Sequence, residues 1–353
     1  MAYDPRARGP HPVGVHTTEV TREGRLLRVE LWYPASDRYA GADSDPGMRD
    51  AFSPFPGAPT TWQAAVRDAA PRLGAFPLAL FSHELGGHRR QSTFLCTHLA
   101  SHGYVVAAAD HEGSTTADLL DLARQVESGG VTDLEPVLAD LAAARPAELR
   151  ALIDSLFGGS ARAVTRSLQR ERVAAIGHGV GGAAVLAAAS ADPRILVAIT
   201  AGPPALDAPQ MAPLAGALEE GFGRVLPVLT IAAERDAVTP LSSARELVSQ
   251  IRAPTRLAVL KNADHYHVCD QAERMHEMFR ELPIPALAGT ADELAPFAEL
   301  VPAERSYRVV RALCLAHLDA FVKARDGAKD ALAHALSGRI SGPTDEAVDV
   351  ELG

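Results

Sequence analysis

Six apolar runs, separated by stretches with helical periodicity, restrict the fold of this sequence more than any other feature. Continuous apolar runs are typical of strands that are buried on both faces, as in a parallel sheet covered by helices. This alternation predicts an α/β fold with a mostly parallel sheet and helices on both faces. The runs are Phe76–His83, Tyr104–His111, Arg172–His178, Ile195–Pro203, Leu226–Asp236 and Thr255–His265.

The segment before these runs has a different pattern. Apolar and polar residues alternate in VGVHTTEVT and RLLRVELWYPA, on either side of Gly24. This alternation predicts a half-buried antiparallel hairpin at the start of the sheet. The chain has 353 residues, of which 47% are hydrophobic, and can form a sizeable core. We therefore predict a single domain over residues 1–353.

Three segments interrupt this pattern and are predicted to shape a pocket. Residues 39–73 are rich in Pro, Gly and Asp, which is typical of an excursion over the surface. Residues 202–223 and 281–300 are the other two candidates, and their side chains are mostly apolar and acidic. This composition favours an apolar or cationic small molecule over a phosphate compound as the ligand.

Net charge and cysteine content exclude some classes of partner. The formal net charge of -10 argues against nucleic acid and anionic membranes, which bind basic patches. The first residues contain no apolar targeting segment, so we expect a cytoplasmic protein. Cys96, Cys269 and Cys314 are scattered and are predicted to be reduced thiols. No cofactor is expected, and the sequence specifies no oligomeric state.

The ends of the apolar runs carry polar and glycine-rich motifs. They read SHELGGHRR, DHEGST, GHGVGG, ERDAVTP and NADHYHV in chain order. Ligands of an open parallel sheet bind at the carboxyl ends of its strands, so these motifs mark the candidate site. Gly179, Asp236 and His265 follow the chain order nucleophile, acid and histidine of an α/β-hydrolase. Gly179 stands where a Gly-X-Ser-X-Gly elbow has its serine.

The sequence resembles the dienelactone-hydrolase-related α/β-hydrolases, which include esterases similar to platelet-activating-factor acetylhydrolase. The resemblance covers most of the chain and is carried by FSHELGG, LASHGYVVAAADHEGST, RPAELRALIDSL, PVLTIAAERDAVTP and NADHYH. It implies hydrolysis of esters or lactones, with an oxyanion bound by the backbone amides of Leu85 and Val180. Relative to the family pattern, Gly179 replaces the serine and Glu84 replaces a glycine of the oxyanion loop.

These departures lead to a predicted site without a serine nucleophile. Asp236 is expected to hydrogen-bond His265, which then acts as a general base with an apparent pKa near neutrality. Glycine at position 179 would leave room for about one water, which His265 could activate. Glu84 is either solvated or lies against this vacant nucleophile position. His88, His267 and Glu112 are further candidates for binding the substrate.

Three functions remain open at this point. The first is an enzyme that uses His265, Asp236 and Glu84 to activate water or to shuttle protons on an ester, lactone or related carbonyl compound. Elimination, isomerisation and cyclisation are variants of the same acid–base chemistry. The second is an inactive hydrolase-fold protein that only binds a ligand. The third is an ordinary esterase or lactonase in which the serine was replaced. A divalent metal bound by Glu84, His88, Glu112 and His267 is a further alternative, although their spacing matches no known ligand motif.

Overall fold

A ten-stranded sheet forms the centre of the molecule in the computed structural model. Its strand order is β12-β11-β10-β9-β8-β6-β7-β2-β1-β5, and β3 and β4 form a separate small sheet. Six neighbouring strands, β11 to β7 in this order, run parallel. The structure describes residues 3–55, 57–159, 162–208, 211–281, 294–336 and 348–351.

The strands have the following bounds in chain order: β1 Val13–Arg22, β2 Arg25–Pro34, β3 Ala51–Phe52, β4 Thr61–Trp62, β5 Val66–Arg67, β6 Phe76–Ser82, β7 Val105–Ala109, β8 Leu168–His178, β9 Ile195–Ala201, β10 Val228–Ala233, β11 Thr255–Leu260 and β12 Val348–Glu351. The helices are α1 Thr93–Ser101, α2 Thr116–Glu127, α3 Glu135–Gly158, α4 Arg162–Thr165, α5 Val180–Ala191, α6 Ala212–Glu219, α7 Leu241–Gln250, α8 Ala272–Glu281, α9 Ala303–Phe321 and α10 Ala328–Leu336.

All six predicted apolar runs contain strands of the parallel part of the sheet. Alternate residues of these strands face opposite cores, as the period of two requires. In β8, Ala174 packs with α1 and α9 in one core, whereas Val173 packs with α3 and α5 in the other. The predicted architecture is therefore confirmed, because both faces of the sheet are covered by helices.

The N-terminal hairpin is also confirmed. Strands β1 and β2 pair antiparallel from Val13 opposite Pro34 to Arg22 opposite Arg25. Strand β2 continues the pairing antiparallel to β7, which joins the hairpin to the parallel strands. No membrane-spanning helix is found in the described part of the chain.

The three predicted excursions differ in the structure. Residues 39–73 contain three short strands, and one of them, β5, extends the main sheet beside β1. Residues 202–223 include helix α6, so this segment is not simply a loop. Most of residues 281–300 lie outside the described residues. The single-domain assignment over the whole chain stays a prediction, and the three cysteines are buried free thiols.

Candidate active site

The turn between β8 and α5 has the backbone of a nucleophile elbow. Gly179 caps the helix with φ 54° and ψ −123°, a conformation that residues with a side chain adopt only at a cost. The strand ends at His178, and the helix begins at Val180, so the turn is as tight as the GHGVGG motif predicts. The sharp turn is therefore present although the residue at its tip has no side chain.

The carboxylate of Glu84 occupies the space beside Gly179. A Cβ atom placed on Gly179 in ideal geometry would lie 0.9 Å from Oε2 and 2.0 Å from Cδ of Glu84. The expectation of a water in this space is wrong, because Glu84 extends from the loop after β6 and fills it. Of the two predicted positions for Glu84, the structure shows the one against the nucleophile position.

Both predicted oxyanion donors point at this carboxylate. The N–H of Leu85 donates to Oε1 of Glu84, and the N–H of Val180 donates to Oε2 at 3.1 Å. One amide lies in the loop after β6 and the other at the start of α5, which follows the neighbouring strand β8. Both N–H groups therefore converge on one carboxyl group at the carboxyl ends of these strands. In the structure, the group that they bind belongs to the protein itself.

His265 and Asp236 form the predicted hydrogen bond. Nδ1 of His265 lies 2.9 Å from Oδ2 of Asp236, and both side chains are about 1% exposed. The other oxygen of Asp236 accepts the backbone N–H groups of Val238 and Thr239, and the Thr239 hydroxyl donates to Oδ2. These donors fix the carboxylate, which in turn orients the imidazole with its Nε2 atom towards Glu84.

Nε2 of His265 lies 3.5 Å from Oε2 of Glu84 and has no hydrogen-bond partner among the described residues. Burial lowers the pKa of His265, but the carboxylates of Asp236 and Glu84 outweigh it and raise the pKa to about 10. The imidazole is therefore protonated at neutral pH. The pKa near neutrality expected for the His265–Asp236 pair differs from this value, because Nε2 of His265 also faces the carboxylate of Glu84.

The buried ring of His178 packs against His265. The rings of His178 and His265 lie 4.3 Å apart between centroids at an angle of 35°. Burial lowers the pKa of His178 well below its usual value, and the neighbouring His265 charge adds to this shift. His178 is therefore neutral and packs at the end of its strand.

Close packing on the other side of His265 requires a glycine. Gly202 follows β9 with φ 51°, and a Cβ atom there would lie 3.2 Å from the imidazole of His265. A side chain at this position would be strained and would press on the ring. The site is thus held between His178 and the backbone of Gly202.

One group of potential metal ligands occurs among the described residues. Glu84, His178 and His265 each offer a ligand atom, and these atoms lie within 4.8 Å of one another. The side-chain oxygen of Gln91 accepts the N–H of Glu84, so its amide nitrogen must donate to Nδ1 of His178, 2.9 Å away. The neutral His178 ring then carries its proton on Nε2, and its Nδ1 accepts from Gln91, so neither ring nitrogen is free to bind a metal. The donor set therefore does not fit a divalent cation.

The other predicted binding residues are not gathered at this site. Glu112 is half-exposed and forms an ion pair with Arg25, 3.5 Å away. His88 is half-buried and lines a different, smaller cavity. His267 is fully buried. Its Nδ1 atom lies within hydrogen-bonding distance of Oδ1 of Asp264, and its Nε2 donates to the carbonyl of Val301. The four residues considered as metal ligands do not come together in the structure, because Glu84 alone among these four lies at the elbow.

Sequence reasoning missed three residues that position the site. Gln91 joins Glu84 to His178, and Thr239 binds both Asp236 and His265. Arg145 is buried on α3 and donates to the carbonyl of His83, next to Glu84. Arg145 and Thr239 lie in the motifs RPAELRALIDSL and ERDAVTP, but neither residue was assigned a role from the sequence.

A cavity of about 130 Å³ opens beside the carboxylate. Glu84 and His265 form its polar end, and Leu85 and Thr116 lie nearby. The remaining lining is mostly apolar: Leu119, Leu120, Val238, Tyr266, Met275, Met278 and Phe279. An apolar cavity of roughly 150 Å³ holds a benzene molecule, so this one suits a ligand group of about that size.

Comparison with known proteins gives the same fold and a partial sequence match. A family model described as platelet-activating factor acetylhydrolase, isoform II, matches residues 57–128, which include Glu84 but end before Gly179. The platelet-activating factor acetylhydrolase of Canis lupus familiaris is 28% identical over 241 residues, 54% of this chain and 52% of that protein. That of Bos taurus is 26% identical over 240 residues, again 54% and 52%.

A solved structure of similar fold covers more of the chain. The ferulic acid esterase from Streptomyces cinnamoneus has a TM-score of 0.62 and 22% sequence identity, and the match covers 90% of this chain and 93% of that one. The chain spans about half the length of the curated relatives it matches. It therefore has the α/β-hydrolase fold, and its predicted resemblance to platelet-activating-factor acetylhydrolase-like proteins is confirmed.

Proposed function

We propose that this protein hydrolyses small, mostly apolar esters without a serine nucleophile. The observation that carries the proposal is the His265–Asp236 pair, whose free Nε2 atom faces two convergent backbone amides at a glycine elbow. A histidine oriented by a carboxylate next to an anion-binding site is the arrangement that acyl transfer requires. The named relatives, which are acetylhydrolases, and the apolar cavity agree with this class of substrate.

In this proposal the ester carbonyl displaces the carboxylate of Glu84. The carbonyl oxygen then accepts the N–H groups of Leu85 and Val180, which stabilise the negative charge that develops on it. Because Gly179 has no side chain, the vacated space beside it admits a water. That water lies between the imidazole of His265 and the carbonyl carbon, where it can attack.

Displacement of Glu84 also changes the protonation of His265. One of the two carboxylates that raise its pKa leaves, so the imidazole becomes neutral at a lower pH. Neutral His265 takes a proton from the water as the new C–O bond forms, and Asp236 stabilises the resulting imidazolium. His265 then gives this proton to the alcohol oxygen as the ester C–O bond breaks. The products are a carboxylic acid and an alcohol.

The test is hydrolysis of p-nitrophenyl acetate and p-nitrophenyl butyrate by the full chain and by His265→Ala. We expect His265→Ala to lower kcat/KM by at least about 10²-fold, the usual contribution of a general base. His16→Ala is the matched control, because this half-exposed histidine lies on β1 and its side chain pairs with Asp68 near the edge of the sheet.

No hydrolysis by the unaltered protein, or equal rates in both histidine variants, would contradict the proposal. Binding of an ester analogue without turnover would favour the ligand-binding alternative. Circular dichroism of each variant checks that the fold is retained.

A further inference from the structure

The position of the Glu84 carboxylate has chemical consequences beyond ester hydrolysis. Its Oε2 atom lies where the first side-chain atom of an elbow residue would be, 0.9 Å from the ideal Cβ position of Gly179. It therefore presents an oxygen close to the place from which an elbow nucleophile acts. Glu84 also lines the apolar cavity, so a molecule bound there lies against this residue.

The backbone of Glu84 is fixed on both sides. Its N–H donates to the side chain of Gln91 at 3.1 Å, and its carbonyl accepts Nδ1 of His83 and the N–H of Gly87. Buried Arg145 holds the preceding carbonyl, that of His83. These hydrogen bonds hold the oxyanion loop and thereby orient the carboxylate of Glu84. A reacting group that is oriented before the substrate binds reacts faster.

We propose that Glu84 is a nucleophile towards saturated carbon, and that the protein opens small apolar epoxides through a covalent glutamyl ester. This activity goes beyond the proposed ester hydrolysis, because it uses the carboxylate where it lies instead of displacing it. Carboxylates are established covalent nucleophiles in enzymes.

We prefer a saturated carbon over a carbonyl carbon as the atom that Glu84 attacks, because the oxyanion site is already occupied. Attack on a carbonyl creates an oxyanion on the substrate, but the N–H groups of Leu85 and Val180 already bind Glu84. Loss of one such donor costs about 10²–10³ in rate. Attack on an epoxide carbon creates no oxyanion at the nucleophile, and the alkoxide that forms needs only a proton donor. His265 lies 3.5 Å from Oε2 and can supply that proton.

The first step is attack of Glu84 on the epoxide. A lone pair of Oε2 forms a bond to the epoxide carbon, and the C–O bond of the ring breaks. The ring oxygen takes a proton from the imidazolium of His265. The result is a hydroxyalkyl ester of Glu84 and a neutral His265.

The second step releases the diol. Neutral His265 takes a proton from water, and the hydroxide attacks Cδ of Glu84. The Leu85 N–H already holds Oε1, on which the negative charge develops, and the Val180 N–H is released from the alkylated oxygen to assist it. The bond between Cδ and Oε2 breaks, and the diol oxygen takes the proton of His265. The new carboxylic acid of Glu84 then protonates His265, which restores the starting state.

An isotope experiment tests this sequence directly. Enzyme in excess over styrene oxide is allowed one turnover in ¹⁸O-labelled water, and both the diol and the peptide containing Glu84 are analysed by mass spectrometry. We expect an unlabelled diol and one ¹⁸O atom on Glu84, because the oxygen of the product comes from the carboxylate. Repeated turnovers should then give labelled diol.

Variants make the assignment specific to Glu84. Glu84→Gln should lose epoxide turnover by about 10³-fold or more, as removal of a covalent nucleophile does. Glu112→Gln changes an exposed carboxylate outside the cavity and should keep the full rate. In His265→Gln, which can neither protonate the ring oxygen nor take a proton from water, epoxide turnover should also be lost. Acid quenching of the unaltered protein during the first turnover should trap the glutamyl ester on Glu84 with the mass of the whole epoxide.

Labelled diol in the first turnover with unlabelled Glu84 would overturn the proposal. Absence of epoxide turnover by the unaltered protein would also overturn it. If p-nitrophenyl esters are still hydrolysed in that case, only the epoxide activity fails and the proposed ester hydrolase stands.

Discussion

Two groups of carboxylates and histidines lie side by side after the last parallel strands, and they differ in what they face. In the first, His265 lies between Asp236 and Glu84, and both His265 and Glu84 line the cavity. In the second, Nδ1 of both His267 and His276 lies within hydrogen-bonding distance of the carboxylate of Asp264, and all three side chains are almost fully buried.

The comparison shows that the same residue types serve different purposes according to their surroundings. Asp264 caps the short 3₁₀ turn His265–Val268 and fixes the loop that carries His265. Burial raises the pKa of Asp264, but hydrogen bonds from His267 and His276 outweigh it and hold the pKa well below its usual value. We infer that the second group maintains the loop and that the first performs the chemistry.

The largest expected effect separates the two groups through Asp236. Asp236→Asn should lower kcat for p-nitrophenyl acetate by about 10⁴-fold, because an amide no longer selects the tautomer that presents Nε2 to the substrate. The melting temperature should change little by comparison. Glu234→Gln, at a partly exposed carboxylate two residues away, is the control and should retain the full rate. Unchanged kcat in Asp236→Asn would remove the assigned role of the pair.

The next effect concerns stability. Asp264→Asn should lower the free energy of unfolding by about 3–5 kcal/mol, since it breaks a buried pair and leaves two histidines without their acceptor. Urea unfolding followed by circular dichroism measures this change. Asp68→Asn breaks an exposed pair with His16 and should cost less than about 1 kcal/mol. Equal losses in the two variants would mean that Asp264 does not anchor the loop.

A third prediction tests whether Glu84 excludes an elbow side chain. Gly179→Ser alone places its Cβ atom on the carboxylate of Glu84, so the introduced serine should react poorly with an organophosphate. The double variant with Glu84→Gly removes the obstacle and frees both amide donors. Its labelling should be at least about 10²-fold faster, the contribution of one oxyanion donor. Equal labelling rates would show that the carboxylate moves aside without cost.

The smallest effect is a difference between two pH profiles for ester hydrolysis. His265 has its pKa raised to about 10 in the unliganded site, so kcat/KM should rise with pH up to that value. The kcat profile reports the complex, in which the carboxylate of Glu84 has left, and should rise at a lower pH. In Glu84→Gln the kcat/KM profile should shift to lower pH as well. Coincident kcat and kcat/KM profiles in the unaltered protein would contradict the displacement of Glu84.

Much of the fold could be predicted because burial on both faces leaves a direct trace in the sequence. The apolar runs marked the six parallel strands, and alternation around Gly24 marked the hairpin. The pairing of Asp236 with His265 was also predictable, since the carboxyl ends of parallel strands meet at one edge of the sheet.

Side-chain direction was not predictable in the same way. The sequence places Glu84 in the oxyanion loop, but only the packed structure shows its carboxylate turned onto two amides and beside His265. The side chain of His267 contacts the carbonyl of Val301, and Glu84 adds to the effect of Asp236 in raising the pKa of His265. Val301 and Glu84 both come from distant segments of the chain. Such contacts are set by tertiary packing, which local patterns do not encode.

The position of the Glu84 carboxylate also has a consequence for release of the acid product in the proposed hydrolysis. An acid product that binds the amides of Leu85 and Val180 competes with the carboxylate of Glu84, which already binds them. Because Glu84 is attached to the same loop, the effective concentration of its carboxylate exceeds that of most solutes. We therefore expect acetate and similar acids to be poor inhibitors of the proposed hydrolysis. In the proposed hydrolysis, we expect the carboxylate of Glu84 to return to the two amides after each ester is cleaved and to displace the acid product.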